Sequence, residues 1–206
     1  AALLIKHKYI PYLITVLLIG YFMILAVGNG YVYDETNVLS IVDRAVLGQA
    51  HIYGGAILDP EGLLSTISAV AHVMIGFCAG KLLMEVKDIH EKLERLFLIG
   101  TILTFAGFLL SYGSPICKKI WSPSFVLITC GMGSSFLALL VWIIDIKGYK
   151  GWSRFFESFG VNPLFIYVLA DILAILFAMI PMTYAGEPTS LHGYIYSALL
   201  LSLIHI

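Results

Sequence analysis

Residues 9–27 read YIPYLITVLLIGYFMILAV, and no position from Tyr9 to Val27 carries a charge. Helical, these 19 residues would be roughly 28 Å long, close to the ~30 Å hydrocarbon thickness of a bilayer. Apolar side chains fall on every face, so such a helix has no polar stripe to turn toward water. Pro11 stands in the first turn, where its missing N–H costs little.

Outward from this block the pattern repeats. Leu63 to Met84, Leu96 to Tyr112, Pro123 to Ile144 and Val161 to Ile180 are further apolar blocks, the last stopped by Pro181. A sixth runs from about Gly193 to Ile206, with 14 residues and no closing cap. The expected fold is therefore all-α: a polytopic transmembrane bundle of about six helices, forming one transmembrane domain over residues 1–206. Hydrophobic residues make up 60% and charged residues 12% of the chain, against roughly 45–50% and about 25% in soluble domains. A soluble all-α core is the competing reading, and repeated all-round apolar helices argue against it. The sequence starts at Ala1 without an initiator Met and without the charged start and cleavage site of a secretory signal. It therefore reads as a fragment or a processed product.

Several classes are excluded. There is no Gly-rich nucleotide loop, no internal repeat and no basic patch interleaved with aromatics, so no nucleic-acid partner is expected. Cys78, Cys117 and Cys130 have neither metal-ligand spacing nor a disulfide framework. No metal is expected. The lack of paired cysteines favours a bacterial inner membrane.

Charge orients the spans. With Lys6 and Lys8 cytoplasmic and the spans alternating, Lys81, Lys87, Lys92, Arg95, Lys147, Lys150 and Arg154 also fall inside. Arg44, Lys118 and Lys119 fall outside. The excess of Lys and Arg inside places both termini in the cytoplasm. Residues 28–62 then form a long extracytoplasmic loop, and long loops with structure of their own tend to be functional. Within it, Val38 to Leu47 has the apolar spacing of a short interfacial helix.

Candidate chemistry clusters in that loop. Asp59 and Glu61, in Asp59-Pro60-Glu61-Gly62, sit where the second span opens. A helix dipole favours carboxylates there, so they read either as capping groups or as groups that bind or polarise a substrate. His51 reads as a general base near neutral pH or as a surface residue. Asp43 and Arg44 read as partners of other loop charges, since adjacent residues do not face each other on a helix. Lys118 and Lys119 fit an anionic ligand or interface anchoring. Asn162-Pro163 starts the fifth span, and Asp171, an acid within it, is functional by default. Ser65, Ser68 and His72 share one face of the second span and read as cavity-lining or as helix-packing residues.

The segments Ile41-Val42-Asp43-Arg44-Ala45-Val46-Leu47-Gly48, His51-Ile52-Tyr53 and Leu58-Asp59-Pro60-Glu61-Gly62-Leu63-Leu64-Ser65 resemble the heparan-α-glucosaminide N-acetyltransferase family. Gly76, Ala79-Gly80-Lys81, Lys118-Lys119-Ile120-Trp121-Ser122-Pro123-Ser124-Phe125 and Phe159-Gly160-Val161-Asn162-Pro163 follow in the family's order. The resemblance covers roughly residues 40 to 170. It implies transfer of an acetyl group from cytosolic acetyl-CoA to the amine of an amino sugar or glycan beyond the membrane. His51, Asp59 and Glu61 are then expected to be catalytic, and Asp43, Arg44 and Tyr53 to bind the acceptor. Lys118, Lys119, Trp121 and Asn162 are expected to hold the donor or shape its passage. Family members carry further N-terminal helices, including the histidine assigned to acetyl transfer, so the resemblance implies a C-terminal portion. The partners expected are the lipid bilayer, the sugar acceptor and a second copy of the chain in a homodimer. A proton-coupled amino-sugar permease using Asp171, and a non-catalytic membrane subunit, are the alternative readings.

Overall fold

The computed structural model describes residues 6–184 and 186–201. The chain divides after Gly148 into two compact units.

The first unit is built on four long helices. Helix α1 (Ile10–Val27) follows a short 3-10 turn and has Pro11 in its first turn. A short helix α2 (Val38–Leu47) follows, then α3 (Ser65–Glu85), α4 (Ile89–Leu110) and α5 (Pro123–Val141). A π-helical turn, Trp142–Ile146, prolongs α5. The long helices are exposed on apolar faces: Val16 is 65%, Phe105 66% and Phe136 60% accessible. Water would penalise such faces, and hydrocarbon would not. Among the described residues, four helices are long and apolar enough to cross a bilayer, within His7–Val27, Ser65–Glu85, Ile89–Leu110 and Pro123–Ile146. The chain is an integral membrane protein.

Helix α4 starts at Ile89, seven residues before the apolar block at Leu96. The Asp88 carboxylate accepts from His90 N (2.7 Å) and Glu91 N (3.3 Å), which satisfies amides that a helix start leaves unpaired. Those bonds hold the Asp88 carboxyl below its ordinary range, led by the one from Glu91. Glycines let α4 and α5 approach closely. A methyl at Gly131 would lie 2.5 Å from Thr104 N and 2.7 Å from Gly100 O, and one at Gly107 would lie 2.9 Å from Ile128 N. Close backbone approach through small residues is how membrane helices gain packing energy where lipid supplies no hydrophobic drive. Helix α1 packs against α3 and α5 through Leu18, Ala71, Ile75, Val126 and Cys130. A second cluster, Tyr21, Leu25, Leu39, Leu58 and Ile120, ties α1 to the connecting segments. The fully buried Tyr21 donates its hydroxyl hydrogen to Ile120 O at 2.6 Å.

The second unit holds α6 (Ser153–Val161) and α7 (Pro163–Met179), bent by 95° at Asn162. The pair meets the length and hydropathy of a membrane span when taken together, which brings the number of candidate spans to five. The strands β1 (Pro181–Tyr184) and β2 (Glu187–Ser190) form an antiparallel hairpin with Met182 opposite Thr189 and Gly186 in its turn at φ 87. The sequence pattern had not signalled this hairpin. The expected sixth span begins in α8 (Leu191–Ile195) and a π-helical turn, Tyr196–Leu201. Its remainder, 202–206, lies outside the described residues.

Candidate functional site

The segment between α1 and α3 has its own framework. Asn37, fully buried, caps α2: its Oδ1 accepts from Leu39 N (2.9 Å). Its amide donates to Gly30 O (2.9 Å) and Val32 O (2.7 Å), which fixes the chain leaving α1. Gly48, at φ 80, ends α2 in a backbone conformation that β-carbons disfavour. Neither residue is singled out at the level of sequence, although an Asn before an apolar-periodic run and a Gly after it are the ordinary start and stop signals of a helix.

Beyond Gly48 the chain turns through Gln49–His51 and Tyr53–Gly55. Asp59 organises the next turn: Oδ1 accepts from Glu61 N (2.9 Å) and Oδ2 from Tyr53 N (3.2 Å). Both of its oxygens therefore bind backbone amides, and the side chain clamps two turns together. His51 Nδ1 lies 2.8 Å from Leu47 O. A carbonyl only accepts, so Nδ1 carries the hydrogen in the neutral ring and Nε2 is left with its lone pair. The result is a cavity of about 650 Å³ lined by Leu47, His51, Tyr53, Asp59, Pro60 and Glu61. Four of the six residues expected to be catalytic or acceptor-binding thus share one hollow.

The other two, Asp43 and Arg44, do not line it. Asp43 is 1% exposed. Its Oδ1 accepts from Leu63 N at 2.9 Å, at the entry to α3, and its Oδ2 is buried without a hydrogen-bond partner among the described residues. Burial pushes this carboxyl above the ordinary carboxylate range; the Leu63 amide opposes the shift and the charge of Asp59 adds to it. The carboxylate lies against Gly62, where a methyl would meet Oδ2 at 2.1 Å. Arg44 pairs with Glu35 at 3.2 Å.

The donor candidates are more dispersed. Lys118 and Lys119 are exposed, and the Lys119 ammonium lies 5.5 Å from the Tyr33 ring centre. Trp121, at φ 48, packs edge-on against His72 (5.3 Å) and Phe125 (5.9 Å). Ser122 caps α5, its Oγ accepting from Phe125 N (3.3 Å) and Cys117 N (3.0 Å). Asn162 and Asp171 belong to the second unit, both exposed. Between α3 and α5 lies a smaller cavity, about 340 Å³, lined by His72, Thr129, Cys130 and Ser134 together with glycine, alanine and the aliphatic Ile75, Leu83 and Leu137. Of the Ser65, Ser68 and His72 face, only His72 reaches it; Ser65 donates to Gly62 O (2.7 Å) and Ser68 is fully buried.

No family model matches the sequence. Among curated proteins, the chain is 30% identical over 154 residues to the heparan-alpha-glucosaminide N-acetyltransferase of Mus musculus, an alignment covering 64% of this chain and 23% of that protein. It is 32% identical over 149 residues to the enzyme of the same name from Homo sapiens, covering 62% and 22% respectively. The chain thus spans under a quarter of the length of these curated relatives.

Proposed function

Because this chain is distantly related to the heparan-alpha-glucosaminide N-acetyltransferases, we propose that it forms part of a membrane-bound acyltransferase. In this reading it moves the acetyl group of cytosolic acetyl-CoA to the amine of an extracytoplasmic amino sugar. One observation carries the proposal: the gathering of His51, Tyr53, Asp59 and Glu61 around one cavity beside the start of α3. An amine attacks a thioester only when neutral, so a base must take its proton. We assign that role to Nε2 of His51, whose tautomer the Leu47 carbonyl fixes.

The amine nitrogen forms a bond to the acetyl carbonyl carbon, and the carbon–sulfur bond to CoA breaks. The proton passes from nitrogen to His51 and on to the departing thiolate. Glu61 holds the sugar ammonium or hydroxyls before reaction. Asp59, with both oxygens bonded to backbone, acts by holding the Tyr53 and Glu61 turns in place. Asp43 supports the entry of α3, and Arg44 pairs with Glu35. Lys118, Lys119 and Trp121, all within the first unit, are assigned to the passage through which the donor's acetyl group is delivered.

The test incubates membranes carrying the protein with radiolabelled acetyl-CoA and glucosamine. N-acetylated product is expected, and His51→Ala should lower kcat by roughly 10²-fold or more, the range for losing a general base. Uptake of unmodified glucosamine into sealed vesicles without acetylation would overturn the proposal in favour of a permease.

A further inference from the structure

Helix α6 is amphipathic in a way the site above does not use. Trp152, Phe155, Phe156 and Phe159 recur at i, i+3, i+4 and i+7, one face of a helix. Their rings pack on one another: Trp152 on Phe156 at 5.6 Å, Phe155 on Phe156 at 5.3 Å, and Phe155 on Phe159 at 4.8 Å. All four remain substantially exposed, Phe155 at 63%. Arg154, Glu157 and Ser158 occupy the opposite face, and Lys150 precedes the helix. The start is pinned by Ser153, whose amide and hydroxyl both donate to Lys150 O (3.2 and 2.8 Å).

Geometry identifies what covers the aromatic face. Asn162 leaves the helical region at φ −126, ψ 57, as the residue before a proline tends to do, and α7 departs at 95° to α6. Helix α7 has 17 residues, roughly 25 Å at the helical rise, near the hydrocarbon thickness. If α7 is the crossing element of this bent pair, the helix joined to it at a right angle runs along the membrane surface. Aromatic rings favour that depth, and basic residues beside them attract anionic headgroups.

We propose that α6 is an interfacial helix lying in the membrane plane, its Trp152–Phe155–Phe156–Phe159 face sunk among lipid headgroups and upper acyl carbons. Arg154 and Lys150 reach the phosphates of anionic lipid. The helix thereby fixes the depth at which α7 enters the membrane.

The test places single nitroxides at 154 to 159 in a chain whose Cys78, Cys117 and Cys130 are replaced by Ala. The protein is reconstituted in nanodiscs of phosphatidylcholine and phosphatidylglycerol. Labels at 155, 156 and 159 should collide with oxygen more than with a water-soluble nickel chelate, and labels at 154, 157 and 158 the reverse. Uniform access of the chelate would overturn the proposal, and so would exclusion of both reagents from the aromatic face, the signature of a protein partner. If the cysteine-free chain fails to fold, the Trp121→Phe, Trp142→Phe chain keeps Trp152 as its fluorophore. Quenching of Trp152 by lipids brominated near the headgroup supports the proposal, and its absence refutes it.

Discussion

Gly62→Ala is the sharpest probe of how the cavity wall is built. The new methyl would meet Asp43 Oδ2 at 2.1 Å and Cγ at 2.8 Å, closer than real β-carbons approach. Asp43 cannot swing aside freely, because it is buried and its Oδ1 accepts from Leu63 N at 2.9 Å. Displacing it breaks that bond and strands an amide at the entry of α3, a loss of about 1.5–3 kcal/mol. Overpacking the surrounding contacts adds about 1–3 kcal/mol. The expected cost of Gly62→Ala is therefore about 2.5–6 kcal/mol. Removing the obstructing carboxylate first should relieve it: in an Asp43→Ala background, Gly62→Ala should cost about 2 kcal/mol less, a coupling of the size neighbouring residues show. Reversible unfolding by SDS titration, followed by circular dichroism, measures all four corners of this cycle. Equal cost of Gly62→Ala in both backgrounds, or a single variant that unfolds at the parent's midpoint, would refute the reasoning.

Other consequences are equally direct. Asp43→Asn tests the buried carboxyl: its pKa is raised by burial, so the stability its protonated form contributes is complete below the ordinary carboxylate value and lost as pH rises through the higher folded value. The parent should thus lose stability relative to Asp43→Asn above roughly pH 4 and match it below, at about 1.4 kcal/mol per unit of pKa difference, read by the same titration across pH. Gly131→Ala should destabilise by about 1–3 kcal/mol, because the methyl would lie 2.5 Å from Thr104 N and 2.7 Å from Gly100 O. Gly133→Ala, two residues away with nothing within 4 Å, should be neutral or stabilise by up to about 1 kcal/mol, the gain in helix propensity alone, so thermal unfolding of the pair separates packing from propensity. Ser122→Ala removes the α5 cap and should cost about 1 kcal/mol in SDS unfolding.

How far the sequence could be read follows from what each feature depends on. The four long spans were legible because a bilayer reads summed hydropathy, and no partner is needed to see it. The start of α4 was misplaced for the same reason: His90, Glu91, Lys92, Glu94 and Arg95 read as loop by composition, while Asp88 fixes the backbone there by hydrogen bonds that hydropathy does not see. The Gly100 and Gly131 contact was invisible because it depends on the register between two helices.

The candidate site divides along the same line. His51, Tyr53, Asp59 and Glu61 are at most ten residues apart, so turns alone bring them together and their motif sufficed to group them. Asp43 reaches Leu63 across twenty residues and required α2 to be placed first. Read as a loop charge, it is instead the buried strut under Gly62. A buried carboxylate that bears on the chain beside Glu61 alters the cavity by moving its wall. For that reason Asp43 and Gly62 should be varied together with His51 and Glu61 whenever acetyl transfer is assayed.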